Sequence, residues 1–283
     1  DKGALFQTTT DSELILHMLA QRQAKTPAQV GNVLAMAGPA FSIVILYHDH
    51  IIAARDPWGF RPLVLGEMTK PDGTKAPVVA SETCAFDQIG ANYLREIKPG
   101  EMLVIDQAGV KSIQFAPAEN PPCQCLLEHI YFARPDSVVF GETPHLVRER
   151  CGEVLAKEHP VDADIVVAIP DSGFSAAMGF ARAINKPLER GLIRNHYVGR
   201  SFIAPGQEAR SLAVRMKHNI VREVVKDKRV VLVDDSLIRG TTTATLAKSL
   251  REAGAREVHL RVAFFFYQSD AATEEDVVDL GGS

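Results

Sequence analysis

The sequence predicts a two-domain α/β protein, with a β-rich first half and a second half built on a parallel sheet. The second half repeats one rhythm. "ADIVVAIP" is followed by "SAAMGFARAI", "KRVVLVDD" by "TTTATLAKSLREAGA", and the series closes on "REVHLRVAFFF". Strand, loop, helix, strand is the pattern of parallel strands joined by right-handed crossovers. The first half lacks that rhythm and carries short apolar runs parted by turn residues. Prolines interrupt both patterns in "AENPPCQC" (118–125), where the domain boundary is expected. With 283 residues, 46% of them hydrophobic, the chain can fill the cores of about two ordinary domains.

In chain order, "TDSELILHMLAQRQ" reads as a helix. Thr10-Asp11-Ser12-Glu13 fits a capping box, and Ile15, Met18 and Leu19 supply an apolar face. "FSIVILYHDHIIAA" reads as two strands around a polar turn. "PVVASE" is a strand, and "EMLVIDQAGVKSIQF" is a hairpin turning at "DQAG". In the second half, Ala177, Phe180, Ala181 and Ile184 fall at helical spacing, as do Leu246, Leu250 and Ala253, with Gly254 placed to cap the latter helix. The expected division is 1–122, 123–268, and a solvated acidic tail over 269–283 that holds Asp270, Glu274, Glu275, Asp276 and Asp279 without a base.

Charge narrows the function. Thirty-one basic and 35 acidic side chains leave a formal net charge of −4, which argues against a nonspecific nucleic-acid or membrane-surface binder. No apolar run approaches the roughly 18 residues that span a bilayer. "DKGALFQTTT" is no signal peptide, and the absence of an initiator Met is read as an internal start. Cys84, Cys123, Cys125 and Cys151 form no secreted disulfide framework, so free or buried thiols in a reducing cytoplasm are expected.

The stretch with the most chemistry is "VVLVDDSLIRGTTT", residues 230–243. Two carboxylates after an apolar run are costly unless they meet a partner where the strand ends. In an open parallel sheet, ligands bind beyond the carboxyl ends of the strands. The next helix should begin within Gly240–Thr243, and free amides at a helix N-terminus bind anions. Ser236, Thr241 and Thr242 add hydroxyls, and Gly240 lets backbone approach a phosphate. Asp234 and Asp235 would repel that phosphate, so they are expected to face sugar hydroxyls or a Mg²⁺ ion. A capped strand-to-helix turn is the plainer alternative. No Walker A loop is present.

This stretch resembles the phosphoribosyl pyrophosphate (PRPP) motif of type I phosphoribosyltransferases. The resemblance implies that Asp234 and Asp235 contact ribose hydroxyls, while Ser236 through Thr242, Arg239 and Gly240 included, grip the 5-phosphate. "AIPDSGFSAA" (168–177), with Asp171 and Ser172, resembles the loop that holds pyrophosphate. "IRNHYVGRSFIAPGQEAR" (193–210), with Tyr197 and Arg200, resembles a lid that shields the reacting C1 from water. Together with "HIYFARPDS" (129–137) and "RDPWGFRP" (55–62), these segments are similar to the glutamine amidophosphoribosyltransferases, which make 5-phosphoribosylamine from PRPP and glutamine in purine synthesis. The resemblance spans roughly residues 3–262. It implies an Ntn-hydrolase-type (αββα) glutaminase domain, incomplete here, followed by a type I phosphoribosyltransferase domain.

The resemblance also implies site roles. Ser172, Asp234 and Asp235 neighbour Mg²⁺, Asp11 holds the α-amino group of glutamine, and Cys125 matches one ligand of a [4Fe-4S] cluster. Purine nucleotides are the implied feedback inhibitors, and a homotetramer the implied assembly. Three departures stand out. The family's amino-terminal cysteine nucleophile has no counterpart, the other cluster ligands are missing, and "AFFFYQSDAATEED" replaces a Ser-Pro-Pro-like turn. Arg194 and His196 stand where Lys and Arg are usual. No cluster and no glutaminase activity are therefore expected of this chain, and at most an ammonia-dependent synthesis. A nonenzymatic PRPP- or purine-nucleotide-binding module and a nucleobase-salvage enzyme are the alternatives.

Overall fold

The structure, a computed structural model, describes residues 5–38, 40–47, 49–195, 218–237 and 241–265. The chain forms two compact units. The first is Asp1–Glu128 with Asp136–Glu142, and the second is His129–Pro135 with Thr143–Ser283.

In the first unit, β1 (Ser42–Tyr47), β2 (His50–Arg55), β6 (Glu101–Asp106) and β7 (Gly109–Gln114) form an antiparallel sheet in the order β1-β2-β6-β7. A second sheet has the order β4-β3-β5, from β3 (Val64–Thr69), β4 (Lys75–Ala80) and β5 (Asn92–Glu96). Alternation along β2 explains the layering. Ile52 and Ala54 point to one face, where Val30, Val33 and Leu34 of α2 (Pro27–Leu34) and Leu19 of α1 (Asp11–Gln21) pack. Ala53, between them, points to the other face and packs with Leu63, Leu65 and Ile97. Val64 turns to the far side of the second sheet and meets Phe86 of α3 (Cys84–Ile89). The order of layers is helix, sheet, sheet, helix, as the αββα expectation requires.

The expected hairpins form. Asp106 pairs with Gly109, and the Asp106 carboxylate accepts from the Ala108 amide at 2.7 Å. Gly109 supplies the positive φ of +123° that the turn needs. The capping box at Thr10 does not form. The Glu13 carboxylate reaches past the helix start to the amides of Gln7 and Thr8, at 2.7 and 2.8 Å, and Thr10 makes no side-chain cap bond. A capping box closes instead at α2, between Thr26 and Gln29, with Pro27 as the first helical residue.

"RDPWGFRP" builds a buried turn. Arg55 is 1% exposed and donates to the carbonyls of Gly59, Arg61 and Ile97, at 2.9 Å each. Asp56 accepts from the Trp58 amide at 2.9 Å, and burial pushes its carboxyl above the usual carboxylate range. The boundary expected at 122/123 falls later in sequence. The amides of Cys123 and Cys125 donate to the carbonyls of Trp58 and Phe60, so this segment stays with the first unit.

The second unit carries a parallel sheet in the order β13-β12-β8-β9, from β8 (Ile165–Ala168), β9 (Leu188–Glu189), β12 (Arg229–Leu237) and β13 (Glu257–Phe265). A separate antiparallel pair joins β10 (Leu192–Arg194) to β11 (His218–Ile220). Strands β8 and β12 are apolar on both faces because both are covered. Val166, Val231 and Val233 face α4 (Pro144–Glu158) and α5 (Phe174–Ala183). Ile165, Val167, Val230 and Leu232 face α6 (Arg222–Val225) and α7 (Thr241–Glu252). As expected, Gly254 follows α7 with a φ of +102°. The acidic tail lies outside the described residues.

Helices α4 and α5 touch through backbone. A Cβ added at Gly152 would stand 1.9 Å from the Ala176 carbonyl oxygen, and one at Gly179 would stand 1.9 Å from that of Glu149. Gly179→Ala is therefore expected to lower the stability of the second unit by about 1–3 kcal/mol, the usual range for overpacking. Urea unfolding measures it; an unchanged midpoint would contradict this helix seam.

Candidate active site

The site forms where β12 outruns β8. Pairing between these strands stops at Val233 and Ala168, whereas β12 pairs with β13 as far as Leu237 and Phe265. The sequence suggests a strand that ends at the acids. The structure corrects this: Asp234 and Asp235 lie within the strand and are 8% and 4% exposed. Past Ala168 the neighbouring chain leaves the sheet as the loop 169–173.

That loop lies tightly against β12. The Ile169 amide donates to the Val233 carbonyl at 2.9 Å. A Cβ at Gly173 would stand 2.5 Å from the same oxygen and 3.1 Å from Asp234 Cα. Only glycine fits this approach, which brings Ser172 Oγ to within 3.4 Å of Asp234 Oδ1. Gly173 also leaves the first turn of α5 without a side-chain cap. The Pro170–Asp171 peptide is cis.

The carboxylates share few donors. Asp234 Oδ1 accepts from the Asp235 amide at 2.9 Å, and Asp235 Oδ1 accepts from the Ser236 amide at 2.8 Å. Asp235 Oδ2 is buried and has no hydrogen-bond partner among the described residues. Burial, and next the charge of Asp235, push the Asp234 carboxyl up to about 8. An orphaned buried oxygen beside a second carboxylate and a serine hydroxyl is a hard-oxygen donor set. It suits Mg²⁺, which is held by one or two carboxylates while keeping waters and phosphate oxygens. No cluster of three His, Cys, Asp or Glu occurs among the described residues. Such a cluster is not what a substrate-borne magnesium requires.

The structure brings together Asp234, Asp235, Ser236 and Ser172. Asp171 sits at the loop tip and is paired with the Arg194 guanidinium on β10. A cavity of about 560 Å³ adjoins this pair, lined by Pro170, Phe174, Leu188 and Leu192 among others. Thr241 and Thr242 open α7, beyond the end of β12. Tyr197, Arg200, His196, Arg239 and Gly240 lie outside the described residues. Asp11 is exposed in the first turn of α1 in the first unit. Cys125 is half-buried and takes no part in a metal cluster among the described residues, so no step is assigned to it. The Asp171–Arg194 pair was not foreseen as a pair, although Arg194 directly follows the apolar run "GLI".

The family model of the phosphoribosyl transferase domain matches residues 146–280. Over nearly its whole length the chain is similar in sequence to the amidophosphoribosyltransferases. It is 44% identical to the chloroplastic enzyme of Glycine max, covering 98% of this chain and 49% of that protein. It is 46% identical to the enzyme of Bacillus subtilis (strain 168), covering 98% of this chain and 59% of that one. The solved glutamine PRPP amidotransferase from B. subtilis, complexed with ADP and GMP, superposes with a TM-score of 0.83. It shares 45% identity and is covered to 62%, against 100% of this chain. The chain thus spans about half to three fifths of the relatives named here.

The Asp234 carboxyl sets a pH dependence. Its ordinary value is 3.8 and its folded value about 8. Between these the folded chain holds a proton that the unfolded chain has released, so stability falls as pH rises from about 4 to about 8. In magnesium-free buffer, Asp234→Asn is expected to raise the unfolding midpoint more at pH 8 than at pH 5. A stabilisation independent of pH would contradict the raised carboxyl.

Proposed function

We propose that the chain carries the phosphoribosyl half of an amidophosphoribosyltransferase. It binds PRPP and directs a nitrogen nucleophile to C1, forming 5-phosphoribosylamine for purine synthesis. The observation that carries this reading is the buried pair Asp234–Asp235, with one oxygen unpartnered among the described residues, beside Ser172. Two buried acids, with no ion pair among the described residues, are costly unless a ligand supplies the donors.

Each part has a task. The Asp234 and Asp235 carboxylates accept hydrogen bonds from the ribose hydroxyls. The amides that open α7, with the Ser236 hydroxyl, bind the 5-phosphate as helix N-termini bind anions. The loop from Asp171 to Gly173 and the uncapped amides of α5 bind the diphosphate. Holding PRPP at both ends leaves C1 open to the incoming nitrogen, and this orientation is a large part of the catalytic gain. The C1–O bond then breaks with its electron pair leaving on the diphosphate. The C1–N bond forms, and the nitrogen loses a proton. Mg²⁺ held by Ser172, Asp234 and Asp235 supplies charge neutralisation for that diphosphate.

Free ammonia is the proposed nitrogen source of this chain, and Asp11 the proposed contact for the α-amino group of glutamine. Purine nucleotides are proposed as inhibitors, a reading supported by the B. subtilis relative complexed with ADP and GMP. A homo-oligomer is the proposed assembly. Among the described residues, no helix is long and apolar enough to cross a membrane.

Calorimetric titration of the chain with PRPP in the presence of magnesium should give binding that is lost in Asp234→Asn/Asp235→Asn. Unchanged affinity in the double variant would sink this function.

A further inference from the structure

Beyond the residues facing the site, one contact fixes the helix from which the diphosphate loop hangs. His145 is the second residue of α4, and its Nδ1 lies 2.9 Å from the Ser175 hydroxyl in the first turn of α5. Ser175 is 4% exposed. Ser175 is the second residue of α5, two positions past the N-cap Gly173. Here it is turned sideways to His145, and the α5 amides keep no side-chain cap.

The contact belongs to a seam with helical spacing on both sides. His145 meets Ser175, Glu149 meets Gly179 and Arg182, and Gly152 meets Ala176 and Phe180. Gly152 and Gly179 allow backbone contact, and Arg182 donates to Glu149 at 2.7 Å. The glycines fix how closely the helices approach, but close approach alone does not stop one helix from sliding along the other. At the end of the seam nearest the site, a directional bond sets the register. His145 is itself anchored, since its amide donates to the Pro135 carbonyl at 3.2 Å.

We infer that His145 is a positioning residue for phosphoribosyl transfer. Through Ser175 it holds the first turn of α5, and with it Asp171 and Ser172, in the place where the diphosphate is received. This inference rests on the proposed PRPP reading and adds a residue that touches no substrate. The 5-phosphate end, bound at the start of α7, does not depend on this bond. His145 therefore acts on one end of the ligand only.

The test separates the two ends. The 283-residue chain and its His145→Ala, His145→Asn and Ser175→Ala variants are titrated with magnesium–PRPP, magnesium–pyrophosphate and ribose 5-phosphate. Loss of one neutral hydrogen bond predicts about fivefold weaker binding of the two diphosphate ligands in His145→Ala and Ser175→Ala. Ribose 5-phosphate affinity should be unchanged. His145→Asn, whose amide can occupy the Nδ1 position, should restore most of the loss. Amide exchange should quicken at 174–177 in His145→Ala and stay slow at 179–183, which the glycine seam holds. Equal weakening of all three ligands would reveal a merely structural role and overturn the inference. Diphosphate affinity untouched by either substitution would overturn it while leaving PRPP binding intact. A parent chain that binds no PRPP would overturn the proposed function, and this inference with it.

Discussion

Two carboxylates buried side by side, without an ion pair among the described residues, are the constraint on which the second unit turns. Asp234 and Asp235 are nearly as enclosed as the valines that precede them, and one of their oxygens has no donor among the described residues. Mutual repulsion and lost hydration both oppose such a pair. The surrounding structure tolerates it through local devices: the amides of Asp235 and Ser236, the Ser172 hydroxyl, and a proton retained on Asp234. A sheet flanked on both faces by apolar helices supplies the stability that offsets the cost. Functional sites are where such local conflicts are expected.

The sheet topology sets the surroundings of the pair. In a parallel sheet the space beyond a strand's carboxyl end is free whenever the neighbouring chain turns away. Here β8 turns away after Ala168 while β13 continues beside β12, so the carboxylates lose a paired neighbour on one side without leaving the sheet. Gly173 sets how near the departing loop can lie, and Gly152 and Gly179 set how near α4 lies to α5. Glycines at these positions act by the absence of a side chain, and backbone approach rather than packing volume shapes the site.

Much of this was legible in the sequence. Alternation and apolar runs revealed the hairpins at 42–55 and 101–114 and, in the second unit, β8, β12, β13, α5 and α7, whereas α4 and the short strands β9 to β11 carry no such plain period. Asp234 and Asp235 stood out because paired acids follow an apolar run and precede Gly-Thr-Thr, whereas Ser172 joined them only through the resemblance to a pyrophosphate loop. Other features were hidden for physical reasons. The box read at Thr10 failed because Glu13 found free amides at Gln7 and Thr8, whereas Thr26-Pro27-Ala28-Gln29 carried an equally local signal that went unread. The continuation of β12 through the acids depends on its pairing with β13, which no local pattern encodes. The His145–Ser175 bond and the glycine seam are likewise invisible one helix at a time.

The central claim is that the acid pair awaits a magnesium-bound PRPP. A crystal structure of the chain with magnesium and PRPP, or a slowly reacting analogue, tests it most directly. The account requires the ribose hydroxyls on Asp234 and Asp235, the diphosphate against residues 171–175, and a metal coordinated between that diphosphate and the acid–Ser172 group at about 2.1 Å. PRPP bound with its diphosphate away from 171–175, or with the acid pair touching neither sugar nor metal, would contradict it.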